Sequence, residues 1–223
     1  MTTIQVDSKD FYNTIARVRI AASKNASFPM LTCIQLRISG QEMTIIATDK
    51  YRLYSDSLDL IDPAETPAQI VLPAAAADDF KRLGLGKTTT PVTITTGTET
   101  VISTPTMEMK YPVPDGEYPS VDRLLAKAIA EANDSTEPGP VATFDPEMLA
   151  GFAKVRQVAT QKNHARLDCW RLQKMLLVHL AGTKFWALQM SQTTTDSGYH
   201  DQKQELDEAT QRIQALTQAP VPA

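Results

Sequence analysis

The sequence predicts an α+β fold of antiparallel sheets with paired helices on one face, built from about three copies of one strand–helix–strands unit. Three observations carry this. Short stretches alternate with a period of two, as in Glu42–Ala47, where Met43, Ile45 and Ala47 share one face and Thr44 and Ile46 the other. Three segments carry apolar stripes at helical spacing. Counted from helix starts at Ser8, Pro73 and Asp145, apolar residues recur at +3, +7 and +10, and the starts lie 65 and 72 residues apart.

The elements follow in order. Ile4-Gln5-Val6 is a strand, and Ser8 is the expected cap of a helix with Phe11, Ile15, Val18 and Ala22 on its stripe. Met30–Ile38 is an expected strand, and Ser39-Gly40-Gln41 turns into the strand from Glu42. Thr48-Asp49-Lys50 is a polar bend, after which Leu53, Ser55 and Ser57 alternate with Tyr54, Asp56 and Leu58. The order then repeats. Gln69–Leu72 is a strand, Pro73 opens a helix with Ala76, Phe80 and Leu83 inward, and Gly84 and Gly86 stop it. Val92–Thr95, Glu99–Ser103 and Thr106–Tyr111 are strands, with a hairpin turn at Thr96-Gly97-Thr98.

Residues 126–140 are poor in hydrophobics and read as a linker. The third copy starts with a strand at Val141–Phe144. Asp145 caps a helix with Pro146 at its first position and Met148, Phe152, Val155 and Ala159 inward. Arg166–Gln173, Met175–Ala181 and Phe185–Met190 are its strands. A tail from residue 194 carries Leu206, Ala209, Ile213 and Leu216 at three–four spacing, which reads as a solvated, partly helical tail or as a short amphipathic helix for docking or a coiled coil, and Ala219–Ala223 is expected to lack order.

The chain has 223 residues, 42% of them hydrophobic, with a formal net charge of −4. That excludes indiscriminate nucleic-acid binding by the whole surface but leaves room for one basic face. Cys33 and Cys169 each stand in an apolar run and read as buried thiols in a reducing compartment. No secretory signal pattern opens the chain, and its longest apolar run, Met175–Gly182, is too short to span a bilayer, so a cytoplasmic location is expected.

Catalytic signatures are missing. His164, His179 and His200 have no Cys or carboxylate at metal-ligand spacing, and Gly84-Leu85-Gly86-Lys87 lacks the spacing of a phosphate loop. No metal, cofactor or catalytic residue is expected. Charge placement says more. Lys9, Arg17, Arg19 and Lys24 outnumber Asp10 around the first helix; Lys81, Arg82 and Lys87 outnumber Asp78 and Asp79 around the second; Lys154, Arg156, Lys162 and Arg166 outnumber Asp145 and Glu147 around the third. A basic helix layer on an acidic body suits phosphate attraction without base readout.

Two stretches carry a resemblance. Ala47-Thr48-Asp49-Lys50-Tyr51-Arg52-Leu53 is similar to an Ala-Thr-Asp-x-x-Arg-Leu corner, and Asp115-Gly116-Glu117-Tyr118-Pro119 to an Asp-Gly-x-aromatic-Pro segment. In this order and separation they resemble the middle domain of the bacterial replicative sliding clamp, the β subunit of DNA polymerase III. The resemblance covers about 170 residues. It implies the sliding-clamp (processivity-factor) fold with two half-domain repeats per domain: residues 1–125 a complete domain, 126–140 a linker, 141–193 a half-domain and 194–223 a tail, in a truncated or divergent member. The implied function is a non-enzymatic processivity or polymerase-accessory factor, associated with the nucleoid.

The resemblance implies duplex DNA as a sequence-independent partner, held by Arg17, Arg19, Lys24, Asn25, Lys81, Arg82, Lys154, Arg156, Lys162 and Arg166. It implies polymerase or other proteins with a clamp-binding motif, held in an apolar cleft of Leu31, Thr48, Tyr51, Arg52, Leu53, Pro119, Arg123, Leu124, Leu188 and Met190. A clamp loader and further copies of the chain complete the partners; if rings close with twelve repeats, three per chain imply four chains. Lys50 stands where the family usually has Gly, and Gln189 where it usually has Pro. The chain also continues past the family's last strand, so its own tail is a candidate cover for the cleft. The competing expectation is a clamp-derived, phage-encoded interaction module that binds host replication proteins without encircling DNA.

Overall fold

The computed structural model describes residues 2–87, 89–123, 126, 144–158, 166–172 and 175–191. In chain order these form β1 (Thr3–Asp7), α1 (Ser8–Val18), β2 (Cys33–Ser39), β3 (Glu42–Thr48) and β4 (Arg52–Asp59). A second series follows: β5 (Ala68–Pro73), α2 (Ala76–Arg82), β6 (Pro91–Thr96), β7 (Glu99–Thr104) and β8 (Met107–Pro112). The third comprises α3 (Pro146–Val158), β9 (Leu167–Leu172), β10 (Met175–Leu180) and β11 (Trp186–Met190). The linker beyond Ala126, residues 141–143 of the expected third-copy strand, Ala159, His164, His200 and the tail with its apolar stripe lie outside the described residues.

All strand pairs are antiparallel. One sheet runs β1-β6-β7-β8 and the other β5-β2-β3-β4-β11-β10-β9. The first two series therefore interlock: β1 pairs with β6, and β5 pairs with β2. The third series joins through β11, whose Leu188 lies opposite Leu53 of β4. A core of buried apolar residues, among them Phe11, Ile15, Leu36, Ile45, Phe80, Ile94 and Phe152, runs through all three. Tyr54 fastens the third series to the first. Its ring stacks on Phe152 at 5.4 Å and meets Phe185 edge-on at 5.3 Å. Gly151 lets α3 come this close, because a Cβ there would sit 3.0 Å from the Tyr54 hydroxyl. Outside, the Lys184 ammonium bonds Glu42 at 2.9 Å and Asp59 at 2.8 Å.

Local chemistry corrects several expected boundaries. Asp7, not Ser8, caps α1; its carboxylate accepts from the backbone N–H of Lys9 at 2.9 Å and of Asp10 at 3.0 Å. Ser8 is the first helical residue, wholly buried, and accepts from the Thr90 N–H. Met30 is not in a strand: Pro29 opens a 3-10 turn over Pro29–Thr32, and β2 begins at Cys33. Pro73 closes β5 opposite Cys33, so α2 starts only at Ala76. Gly84, at φ 78°, reverses the chain just after α2; Leu83 is left exposed and Leu85 fills its place in the core. Asp145 does cap α3, accepting from Glu147 N–H at 2.7 Å. Cys33 is buried, but Cys169 on the outermost strand β9 is exposed.

Candidate functional site

The corner between β3 and β4 is built by two short side chains. The Asp49 carboxylate accepts from the N–H groups of Tyr51 at 3.1 Å and Arg52 at 3.0 Å, and from the Arg52 guanidinium at 2.8 Å. The Thr48 hydroxyl donates to the Arg52 carbonyl at 2.8 Å, and Lys50 N–H approaches it at 3.3 Å. So tight a bend forces Lys50 into the left-handed region, at φ 85°. It is the one non-glycine among the described residues with positive φ.

The Asp115–Arg123 stretch comes back across the open end of β2 and β3. Gly116 turns at φ 113°, a conformation that strains any side chain, and the site of its missing Cβ is 3.3 Å from Met30 Cγ. The Tyr118 hydroxyl donates toward the Ile46 carbonyl at 3.3 Å and lies 3.5 Å from that of Cys33. Burial raises its pKa, so it remains a donor. Arg37 grips Asp122 at 2.6 Å, and its hydrogen bond holds that carboxyl below the usual range. Val121 then packs with Ile46, Leu53, Met175 and Leu188 in a second apolar cluster.

Between the corner and this stretch lies a cleft of about 520 Å³. Phe28, Pro29, Met30 and Leu31 form one wall, Thr48, Lys50 and Leu53 a second, and Pro119, Ser120 and Val121 a third. The structure thus brings Leu31, Thr48, Leu53 and Pro119 together around one opening. Tyr51 and Met190 stand exposed beside each other, joined by a 2.7 Å bond from Met190 N–H to the Tyr51 carbonyl, but do not line it. Leu188 is buried beneath Leu53. Arg123 is exposed outside the lining, and Leu124 lies outside the described residues. Arg52 is turned away: Asp49 holds its guanidinium, which lies 6.0 Å from the Tyr54 ring on the helix side of the sheet. The wall that sequence reasoning missed, Phe28–Met30, had one signal, Pro29, which excludes an uninterrupted strand.

The helix layer is less cationic than the sequence count. Arg17 points inward, its Nε 2.6 Å from Asp56 Oδ2, with 11% and 1% of the two side chains exposed. Burial still pushes the Asp56 carboxyl above its usual range, although Arg17 draws it down. Arg19 bonds Asp78 at 2.6 Å across α1 and α2, Arg82 bonds Asp79 at 2.6 Å, and Arg166 pairs with Asp168 at 2.7 Å. Lys24, Asn25, Lys81 and Lys154 are exposed. The Arg156 side chain and Lys162 lie outside the described residues.

The family model of the DNA polymerase III beta subunit, central domain, matches residues 5–120. The chain belongs to this family. A curated relative, the beta sliding clamp of Micrococcus luteus, is 30% identical over 134 residues, 55% of this chain and 40% of the relative. Among solved structures, the DNA polymerase III subunit beta of Pseudomonas aeruginosa matches with a TM-score of 0.66 at 18% identity, covering 86% of this chain and 66% of that one. The DNA polymerase sliding clamp of Bacillus subtilis gives 0.66 at 15% identity, covering 86% and 64%. These likenesses establish the sliding-clamp fold, α+β with two antiparallel sheets. The chain spans less than half the length of the Micrococcus luteus clamp. No helix among the described residues is long and apolar enough to cross a membrane.

Proposed function

We propose that this chain serves DNA replication as a non-enzymatic accessory factor of a polymerase, holding duplex DNA without sequence preference and capturing a short segment of a polymerase or repair protein in the cleft. The observation that carries this reading is the cleft itself. In a member of the clamp family, the corner and the Asp115–Val121 stretch converge on an apolar recess of about 520 Å³ with few polar groups, a composition suited to peptide capture. The DNA contact is assigned to Lys24, Lys81 and Lys154 around the helices, supported by the contacts of α1 with both α2 and α3, and to Arg166, which lies just before β9 and not on a helix. Residues 1–125 would act as the complete domain and 141–193 as the half-domain, in a cytoplasmic homo-oligomer placed on DNA by a loader.

The test of the cleft is titration with a generic clamp-binding peptide, scored by fluorescence anisotropy. Met30→Ala and Pro119→Ala should each weaken binding about tenfold, while Arg123→Ala should not. Equal affinity in all four proteins removes the cleft. DNA association is tested by retention on circular against linearised duplex, and should fall as salt rises.

A second reading is favoured by one observation: Arg19 and Arg82 of the helix layer, and Arg166 just before β9, are already matched by acids of the same chain. The chain would then be a clamp-derived, phage-encoded module that binds host replication proteins without encircling DNA. Light scattering separates the two, since a closed ring needs a discrete oligomer and a module can be monomeric.

A further inference from the structure

The Lys50 ammonium stands 3.3 Å from the centre of the Phe28 ring. Both residues line the cleft, one from the corner and one from just before the 3-10 turn, so the pair bridges two of its walls. Lys50 is the sole charged side chain among the lining residues. It forms no ion pair among the described residues, because its neighbour Asp49 is fully engaged by Tyr51, Arg52 and the Arg52 guanidinium. Among the described residues the cleft therefore presents one cation, no acid, and apolar walls. Lys50 is exposed at the mouth of the cleft, where its contact with a half-exposed ring is weak, whereas a carboxylate makes a directed, charge-assisted bond to the ammonium.

We propose that Lys50 sets what the cleft accepts: an extended apolar segment of a partner protein that carries one Asp or Glu, whose carboxylate takes the Lys50 ammonium from the Phe28 ring. The inference deepens the peptide-capture reading and rests on it. Charge complementarity chooses the occupant. A purely apolar segment must part Lys50 from Phe28 and offers nothing in return, while an acidic one replaces the contact with a better one. The corner hydrogen bonds hold the backbone at Lys50 in the left-handed region, and from there the side chain reaches the Phe28 ring.

The experiment uses the full chain and labelled, leucine- and phenylalanine-rich heptapeptides. A single Glu is walked through the positions, each peptide beside its Gln twin. Wild type should bind the best Glu peptide about two- to fivefold more tightly than its twin, a preference that shrinks with salt. Lys50→Gly suits the positive φ and should fold; Lys50→Gln keeps the side chain's reach without its charge. Both should bind the two twins equally. Phe28→Leu keeps the wall apolar but frees the ammonium, and should tighten the Glu peptide severalfold. If wild type binds both twins alike, the role of Lys50 is overturned and the cleft stands. If no peptide binds wild type or either Lys50 variant, the cleft reading falls, and this inference with it.

Discussion

Replacing Arg17 by Met should be among the most damaging single changes outside the apolar core. Asp56 lies in the middle of β4, facing α1, with 1% of its side chain exposed, and Arg17 is its one cationic hydrogen-bond partner among the described residues. Removing that partner leaves a buried carboxylate uncompensated, which costs about 3–5 kcal/mol. A recess of about 290 Å³ lined in part by Asp10, Arg17, Asp56 and Lys184 gives solvent some access, so the cost should fall at the lower end, about 3 kcal/mol. For a protein of this size that is a fall in Tm of roughly 6–12 °C.

The pH dependence gives the sharper test. Asp56 already has a raised pKa, so the folded state binds its proton more tightly than the unfolded chain, and its contribution to stability declines as pH rises through the folded value. Without Arg17 the folded value climbs further. The gap between wild type and Arg17→Met should then be widest at neutral pH and should close as the solution is acidified and Asp56 takes up a proton. Thermal and urea unfolding followed by circular dichroism from pH 4.5 to 7.5 measures it. Arg17→Met combined with Asp56→Leu should recover most of the loss, because neither charge remains buried. A gap below about 1 kcal/mol, or one that does not change with pH, would refute the reasoning. DNA retention per folded molecule should be the same in Arg17→Met as in wild type, since Arg17 points into the molecule.

Other outcomes follow from single contacts. Phe152→Ala should cost about 3–5 kcal/mol in urea unfolding, because it empties the stack on Tyr54 that holds α3 to β4. Gly116→Ala should cost about 1–3 kcal/mol and weaken peptide binding as well, since φ 113° strains alanine and the new methyl presses on Met30, a wall of the cleft. Gln189 is wholly buried, and no described protein group bonds either atom of its amide. Gln189→Leu should therefore raise stability by about 1–2 kcal/mol in the same assay, and a destabilised variant would count against it.

How far the site could be read from the sequence turns on what kind of information fixes each residue. Leu31 came from the family resemblance alone, whereas Thr48, Leu53 and Pro119 were reachable because they sit in motifs whose chemistry is local: an Asp–Thr bend and an Asp-Gly-x-Tyr-Pro turn. Phe28 and Met30 were not, because a 3-10 turn has no periodicity to reveal which way its side chains point. The Lys50–Phe28 contact needs the fold to bring two separate turns together. Charge counts on the helices erred for a similar reason. Composition locates a cation but not its partner, and Arg17 and Arg19 each find an acid that only the packing supplies.

Arg52 is the instructive exception, since its placement was within reach. Leu53 alternates with Tyr54 along β4, so Arg52 must share a face with Tyr54 and not with Leu53. A residue cannot both fill the cleft and stand beside Tyr54. The same alternation puts Leu188 on the cleft side of β11 and buries Gln189 on the other. Because β4 and β11 pair directly, with Leu53 opposite Leu188 and Arg52 opposite Gln189, one register slip would exchange the two faces along the whole seam. The seam therefore does two jobs with one set of backbone bonds, flooring the cleft with Leu53, which Leu188 backs from the next strand, while Tyr54 and Ala187 anchor the helix side. Substitutions on these two faces should separate cleanly. Changes at Tyr54 should loosen the third strand series, whereas polar changes at Leu53 should open the floor of the cleft first.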